Sequence, residues 1–117
     1  SWASVKQAVE EQLGPVDVLC NNAGIALPFK VLEDVSEAEF ERVMAVNVKG
    51  VFLGCKLFIP QMKARRAGHL VNTSSVNGQI PHQTFAAYSA SKFAVSGLSE
   101  ALRDELAPVR GALELNL

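Results

Sequence analysis

Three side chains in the second half of the chain, Ser75, Tyr88 and Lys92, are of types that can move a proton. Tyr88 and Lys92 stand four positions apart, which on a helix puts them roughly 6 Å apart along one face. An ammonium beside a phenol favours the phenolate and lowers the phenol pKa from its ordinary value of about 10. Bringing it near 7 takes about 4 kcal/mol, which needs a desolvated site and more than one helper. A phenol tuned in this way can take a proton from an alcohol or return one to a developing alkoxide, while a serine hydroxyl such as that of Ser75 holds the same oxygen. Taken alone, a Tyr and Lys at this spacing are more often a surface pair, so the chemistry depends on the elements that surround them.

Those elements are legible as alternating helices and strands. Val5, Ala8, Val9 and Leu13 recur at helical spacing behind a Ser4–Gln7 capping box, Trp2 covers that helix's packing surface, and Gly14-Pro15 stops it. Val16 to Cys20 is a short β-prone run that breaks into the turn-forming Asn21-Asn22-Ala23-Gly24. Val35, Ser36 and Glu39 form a staple and capping box that predict a helix running to about Met62, where Pro60 should end or kink it. Its apolar residues, among them Phe40, Val51, Phe52 and Phe58, cover more than one stripe, which implies burial by a sheet on one side and a partner helix on the other. A second strand follows over 69–74, with His69 read as a solvated loop residue at its start. A polar loop then leads to a helix from about Phe85 to Leu106, closed by Pro108 and Gly111, and Ala112 begins a third strand.

This order predicts an α/β fold: a partial doubly wound parallel sheet of about three strands and three helices, covered on both faces and formed by residues 1–117 as a single partial domain. In open parallel sheets ligands bind beyond the carboxyl ends of the strands. Asn21 to Gly24, Ser75 and the first turns of the last helix, with Tyr88 and Lys92, should therefore share a crevice.

Four segments, Leu19-Cys20-Asn21-Asn22-Ala23-Gly24, Val46-Asn47-Val48-Lys49-Gly50, Val71-Asn72-Thr73-Ser74-Ser75 and Tyr88-Ser89-Ala90-Ser91-Lys92, together resemble the short-chain dehydrogenase/reductase family in order and spacing. The resemblance implies a Rossmann-type domain that uses NAD or NADP to interconvert an alcohol and a ketone or aldehyde on a small-molecule substrate. It implies Tyr88 as the acid/base and as one of the cofactor-binding residues, Ser75 as the group holding the substrate oxygen, and Lys92 as the residue that holds the nicotinamide ribose and assists Tyr88. Asn47 would anchor a water in the proton relay, and Asn21, Ala23 and Gly24 would line the adenosine side of the cofactor and support the sheet. It also implies a homo-oligomer, dimer or tetramer, formed through the two long helices. The match is to the family's central segment: no Gly-rich phosphate loop precedes Asn21 and no acidic or basic selector of NAD against NADP is found, so an exposed sheet edge is expected. The alternative expectation is a catalytically silent truncated fragment that acts by association through the same helices.

Composition narrows the partners. With 117 residues, 49% of them apolar, 20% charged and a formal charge of −1, the chain is of ordinary globular type. Eleven basic residues against 12 acidic ones leave no excess for a phosphate backbone, so no nucleic-acid partner is expected. No apolar run approaches the ~20 residues of a membrane span and no signal peptide is visible, so the expected compartment is the cytoplasm and no membrane partner is expected. Cys20 and Cys55 lack metal or redox spacing and are expected as buried, reduced thiols, and no metal site is expected. In the loop before Tyr88, His82, Gln83 and Phe85 are weaker candidates for touching substrate.

Overall fold

Strict alternation along three short strands sorts the sheet into an inner and an outer face. The computed structural model describes residues 1–109, 111 and 113–117. Strands β1 (Val18–Asn21), β2 (Gly68–Asn72) and β3 (Leu113–Asn116) are parallel and lie in the order β1-β2-β3, with Leu19 opposite Leu70 and Leu70 opposite Leu115. These leucines and Leu113 point inward with Asn21 and Asn72, whereas Val18, Cys20, Glu114 and Asn116 point out and are exposed. The expected start of β3 at Ala112 lies outside the described residues.

All the covering helices lie on the inner side. Helix α1 (Trp2–Leu13) packs on α3 (Gly50–Arg65), α3 packs on β1 and β2, and α4 (Ala86–Glu105) packs on β3. The expectation of a sheet covered on both faces is therefore corrected. Both crossovers advance in the same direction across the sheet, and right-handed connections then have to run along the same side. The uncovered face shows in the total: 6974 Å² of accessible surface, against about 6,200 Å² for a compact chain of this mass. It also changes two residues. Cys20 is exposed rather than buried, and His69 lies within β2 on the outer face, its ring against the Asn116 side chain.

The core sits between sheet and helices, where Leu19, Phe58, Met62, Leu70, Leu106, Leu113 and Leu115 form one cluster and Val51, Cys55 and Val95 a second. Trp2 meets Phe58 edge-on, so the packing side of α1 runs through Trp2, Lys6 and Val9, while Val5 and Leu13 face solvent. The capping box of α1 is Ser1 with Ser4, one turn earlier than expected. Burial raises the Cys55 thiol pKa, which keeps it protonated and unreactive.

Helix α2 (Glu37–Met44) opens on the expected Ser36/Glu39 capping box. The Glu39 carboxylate also accepts from Lys30 Nζ at 2.8 Å. The Lys30 hydrogen bond and that from the Ser36 backbone lower the Glu39 pKa from 4.5 to about 2. From α2 the helix continues without a break through Ala45–Lys49 into α3 and on to Arg65. Pro60 does not end it, because Pro60 and Lys56, whose carbonyl loses its partner, both lie on the solvent side where water can satisfy that group. By length and composition alone the stretch Glu37–Arg65 could cross a membrane, contrary to the expectation that no run was long enough. Its inner positions Val51, Gly54, Cys55, Phe58 and Met62 meet the sheet, α4 and α1, as in a core helix, while Phe40 and Phe52 on the other side stay exposed and no partner helix covers them among the described residues.

Candidate functional site

At the carboxyl edge of the sheet, strand ends and helix starts converge through polar side chains. Asn21 closes β1 and turns inward: its Nδ2 donates to Asn72 Oδ1 at 2.9 Å and lies 3.5 Å from Cys55 Sγ, while Asn72 donates to Ser99 Oγ at 3.0 Å. This side chain braces the sheet against α3 and, through Asn72, against α4. Gly54 makes that brace possible, since a Cβ there would lie 2.4 Å from Asn21 Oδ1. Asn22, Ala23 and Gly24 follow in the open, and Thr73 Oγ1 donates to Asn22 Oδ1 at 3.0 Å, joining the two strand ends.

Asn47 is fully buried in a five-residue π-turn, Ala45–Lys49, set between α2 and α3. The widened turn aims its amide at the loop after β1. Oδ1 accepts from Ile25 N at 2.8 Å, and Nδ2 donates to Ile25 O at 2.8 Å and to Ser91 Oγ at 3.0 Å. Ser91 in turn donates to Tyr88 O at 2.7 Å. Asn47 thus joins the loop behind Gly24 to the first turns of α4.

Lys92 carries its charge into the interior. It is 4% exposed, its one hydrogen bond among the described residues goes to Thr73 O at 3.1 Å, and its Nζ lies 5.7 Å from the centroid of the Tyr88 ring. An ammonium has three donors, so two are left for a group in the crevice. Gly24 leaves the room for one: a Cβ at that position would sit 3.4 Å from Lys92 Nζ and 3.6 Å from Asn47 Oδ1.

Ser75 caps the short turn Val76–Gly78 by accepting from Asn77 N at 3.2 Å. With the backbone filling an acceptor site, the hydroxyl proton is free to be donated outward. The turn seats on α4 through Ser96, whose Oγ has Lys92 O at 3.1 Å and Gly78 O at 3.3 Å as alternative acceptors for its one proton and lies 3.0 Å from Ser74 Oγ. A Cβ at Gly78 would lie 2.4 Å from Ser74 Oγ and 2.9 Å from Lys92 O. Gly78→Ala is therefore expected to destabilise the fold by about 1–3 kcal/mol, since backbone cannot yield as a side chain can. A urea-melting midpoint equal to that of the parent chain would show that the turn is not tightly seated.

The structure thus brings Asn47, Ser75, Tyr88, Lys92 and Gly24 to one edge, with Ala23 at its rim. His82 and Gln83 are exposed beyond it; the His82 backbone N–H donates to Ser89 Oγ. Sequence reasoning did not find Ile25, Ser91, Ser96 or Gly78. Ser96 stands one helical turn from Lys92 and Gly78 three residues after Ser75, and those offsets are the only signals the sequence carries for them.

Comparison with known proteins identifies the family. Residues 1–112 match the family described as short chain dehydrogenase. The chain belongs to the short-chain dehydrogenase family. It is 46% identical over 104 residues to a 3-ketodihydrosphingosine reductase of Bos taurus, an alignment covering 89% of this chain and 31% of that protein. The crystal structure of a short-chain dehydrogenase from Streptomyces avermitilis superposes with a TM-score of 0.90 at 37% identity, covering 97% of this chain and 42% of the other. A metagenomic short-chain oxidoreductase in complex with NADP gives a TM-score of 0.89 at 34% identity, covering 97% and 50%. The fold is thus part of a Rossmann-like doubly wound sheet. The chain spans 31–41% of the length of the curated relatives it matches. Short-chain dehydrogenases are oxidoreductases that use NAD or NADP. The residues here fit the nicotinamide-ribose end of such a cofactor, because the buried Lys92 ammonium has donors to spare beside the space that Gly24 leaves open.

Proposed function

We propose that residues 1–117 act as one partial NAD(P)-binding domain of an oxidoreductase that interconverts an alcohol and a ketone or aldehyde. The observation that carries this reading is the buried Lys92 ammonium, which has a single protein acceptor among the described residues and lies beside the Tyr88 ring. A charge withdrawn from water with unused donors is costly unless a ligand completes its shell.

When bound, NAD(P)H supplies the hydride. Ser75 donates its hydroxyl proton to the carbonyl oxygen and keeps that hydrogen bond as the oxygen gains negative charge. Tyr88 gives its phenolic proton to the same oxygen, and in the reverse direction takes it from the alcohol. Lys92 holds the nicotinamide ribose and stabilises the phenolate electrostatically. Asn47, through Ile25 and Ser91, keeps the cofactor loop and the helix bearing Tyr88 at fixed separation and anchors the water through which Lys92 exchanges protons. Ala23, with the main chain of Asn21, lines the adenosine side, whereas Gly24, where a Cβ would lie 3.4 Å from Lys92 Nζ, sits at the ribose end instead of the adenosine side expected for it. The substrate is a small carbonyl compound or alcohol; the name of the Bos taurus relative supports a keto group on an aliphatic chain.

The exposed Phe52 and Phe93, 45% and 43% accessible on α3 and α4, support self-association through these two helices. They equally favour a second reading, in which the chain acts by association alone. Titration with NADH and NADPH, followed by nicotinamide fluorescence, separates the two. Saturable binding to the folded chain is the expected result, and a folded, associated chain that binds neither nucleotide would overturn the oxidoreductase reading in favour of the second.

A further inference from the structure

Beside Tyr88 an aromatic surface extends into solvent. The Phe85 ring centroid lies 6.1 Å from that of Tyr88, and the Phe29 ring meets Phe85 edge-on at 4.6 Å while remaining 77% exposed. An aromatic side chain so exposed gains little from its position in the fold, yet this one is held in place. Lys30 N, next in the chain, donates to Thr84 O at 3.4 Å, and Lys30 Nζ pairs with Glu39 at the capped start of α2. Thr84 itself, just before Phe85, has a φ of 64°, a left-handed conformation unfavourable for a β-branched residue. Strain of this kind persists where the surroundings impose it. Two separate loops are thus pinned so that two rings continue the line of the Tyr88 ring outward.

Resting on the oxidoreductase reading above, we propose that Phe29 and Phe85 form a specificity wall for carbonyl substrates bearing an aryl or long alkyl group next to the reacting carbon. The carbonyl oxygen lies between Ser75 and Tyr88, and the apolar substituent lies along the two rings. A substrate with polar groups on that carbon leaves the wall in water and gains nothing from it. An apolar one covers both rings and is held by the contact and by the area removed from water.

The test compares acetophenone with hydroxyacetone as substrates, with NADPH, for the parent chain, Phe29→Ala and Phe29→Tyr. Because Phe29 is exposed, its replacement spares the core, and circular dichroism melting verifies that. In Phe29→Ala the ratio of kcat/KM for acetophenone to that for hydroxyacetone is expected to fall about tenfold or more, mainly through KM, as for removal of an apolar pocket contact. Phe29→Tyr, which keeps the ring, restores the ratio. A ratio unchanged in Phe29→Ala, or one not restored by Phe29→Tyr, overturns the proposal. A second readout needs no turnover: saturation of the Phe ring protons in the parent chain transfers to acetophenone, with the transfer reduced in Phe29→Ala. Equal transfer in both also overturns it. Failure of the underlying reading is distinguishable, because it would appear as carbonyl reduction surviving in Tyr88→Phe, which leaves the Phe29 ratio free to vary.

Discussion

Tyr88→Phe is expected to reduce carbonyl turnover by about a thousandfold while leaving NAD(P)H affinity nearly intact. The substitution removes one oxygen and keeps the ring, so the packing of Phe85 against it and the 5.7 Å approach of Lys92 Nζ to the ring both survive. What disappears is the transferable proton, and loss of a positioned general acid costs about 10²- to 10⁴-fold. Ser75 can still hold the carbonyl oxygen, so KM should move little and the change should appear in kcat. Steady-state kinetics together with nucleotide fluorescence check both halves. A variant that retained turnover would remove Tyr88 from the chemistry, and one that lost nucleotide binding to the same degree would make its role one of binding.

Lys92→Met carries the second large effect, and it points in opposite directions for function and stability. Nucleotide affinity should fall about 10- to 100-fold, since hydrogen bonds from a charged donor are worth about 1.5–3 kcal/mol, and kcat should fall as well because the same ammonium supports the phenolate. The fold, however, should hold or gain. Met fills a similar volume without bringing a charge into an interior where the only acceptor among the described residues is the Thr73 carbonyl. Removing an unpaired buried charge relieves its desolvation cost, which offsets the loss of the Thr73 carbonyl's donor. Chemical denaturation of the parent and variant chains checks this. A variant clearly less stable than the parent would mean that Lys92 serves the fold rather than a ligand.

Much of this architecture is written in local signals. Ser36 and Glu39 mark a helix start because capping needs only neighbouring residues, and the alternation Leu113-Glu114-Leu115-Asn116 already distinguishes an inner from an outer face. The grouping of Ser75, Tyr88 and Lys92 was likewise legible, since strand ends and helix starts meet at one edge of any parallel sheet. What was not legible depends on contacts between distant segments. Coverage of one sheet face follows from strand order, which no single strand encodes. The position of Pro60 on the solvent side of α3 follows from the packing of the whole helix, and so does the exposure of Cys20 on an uncovered face. Phe29 and Phe85 are 56 residues apart in the chain and meet only because Lys30 pins one loop to the other.

The π-turn at Ala45–Lys49 makes the helix sensitive to length as well as to residue type. Such a turn holds one residue more than an α-helical turn, and each helical residue turns the chain by about 100°. Deleting a single residue there would let the backbone revert to an uninterrupted and intrinsically more favourable α-helix. The same deletion would swing the Asn47 amide away from Ile25 and Ser91 or turn the inner face of α3 off the sheet, because both cannot keep their bearing at once. A helix that has gained a residue at the place where its one fully buried amide sits has given up regularity for aim.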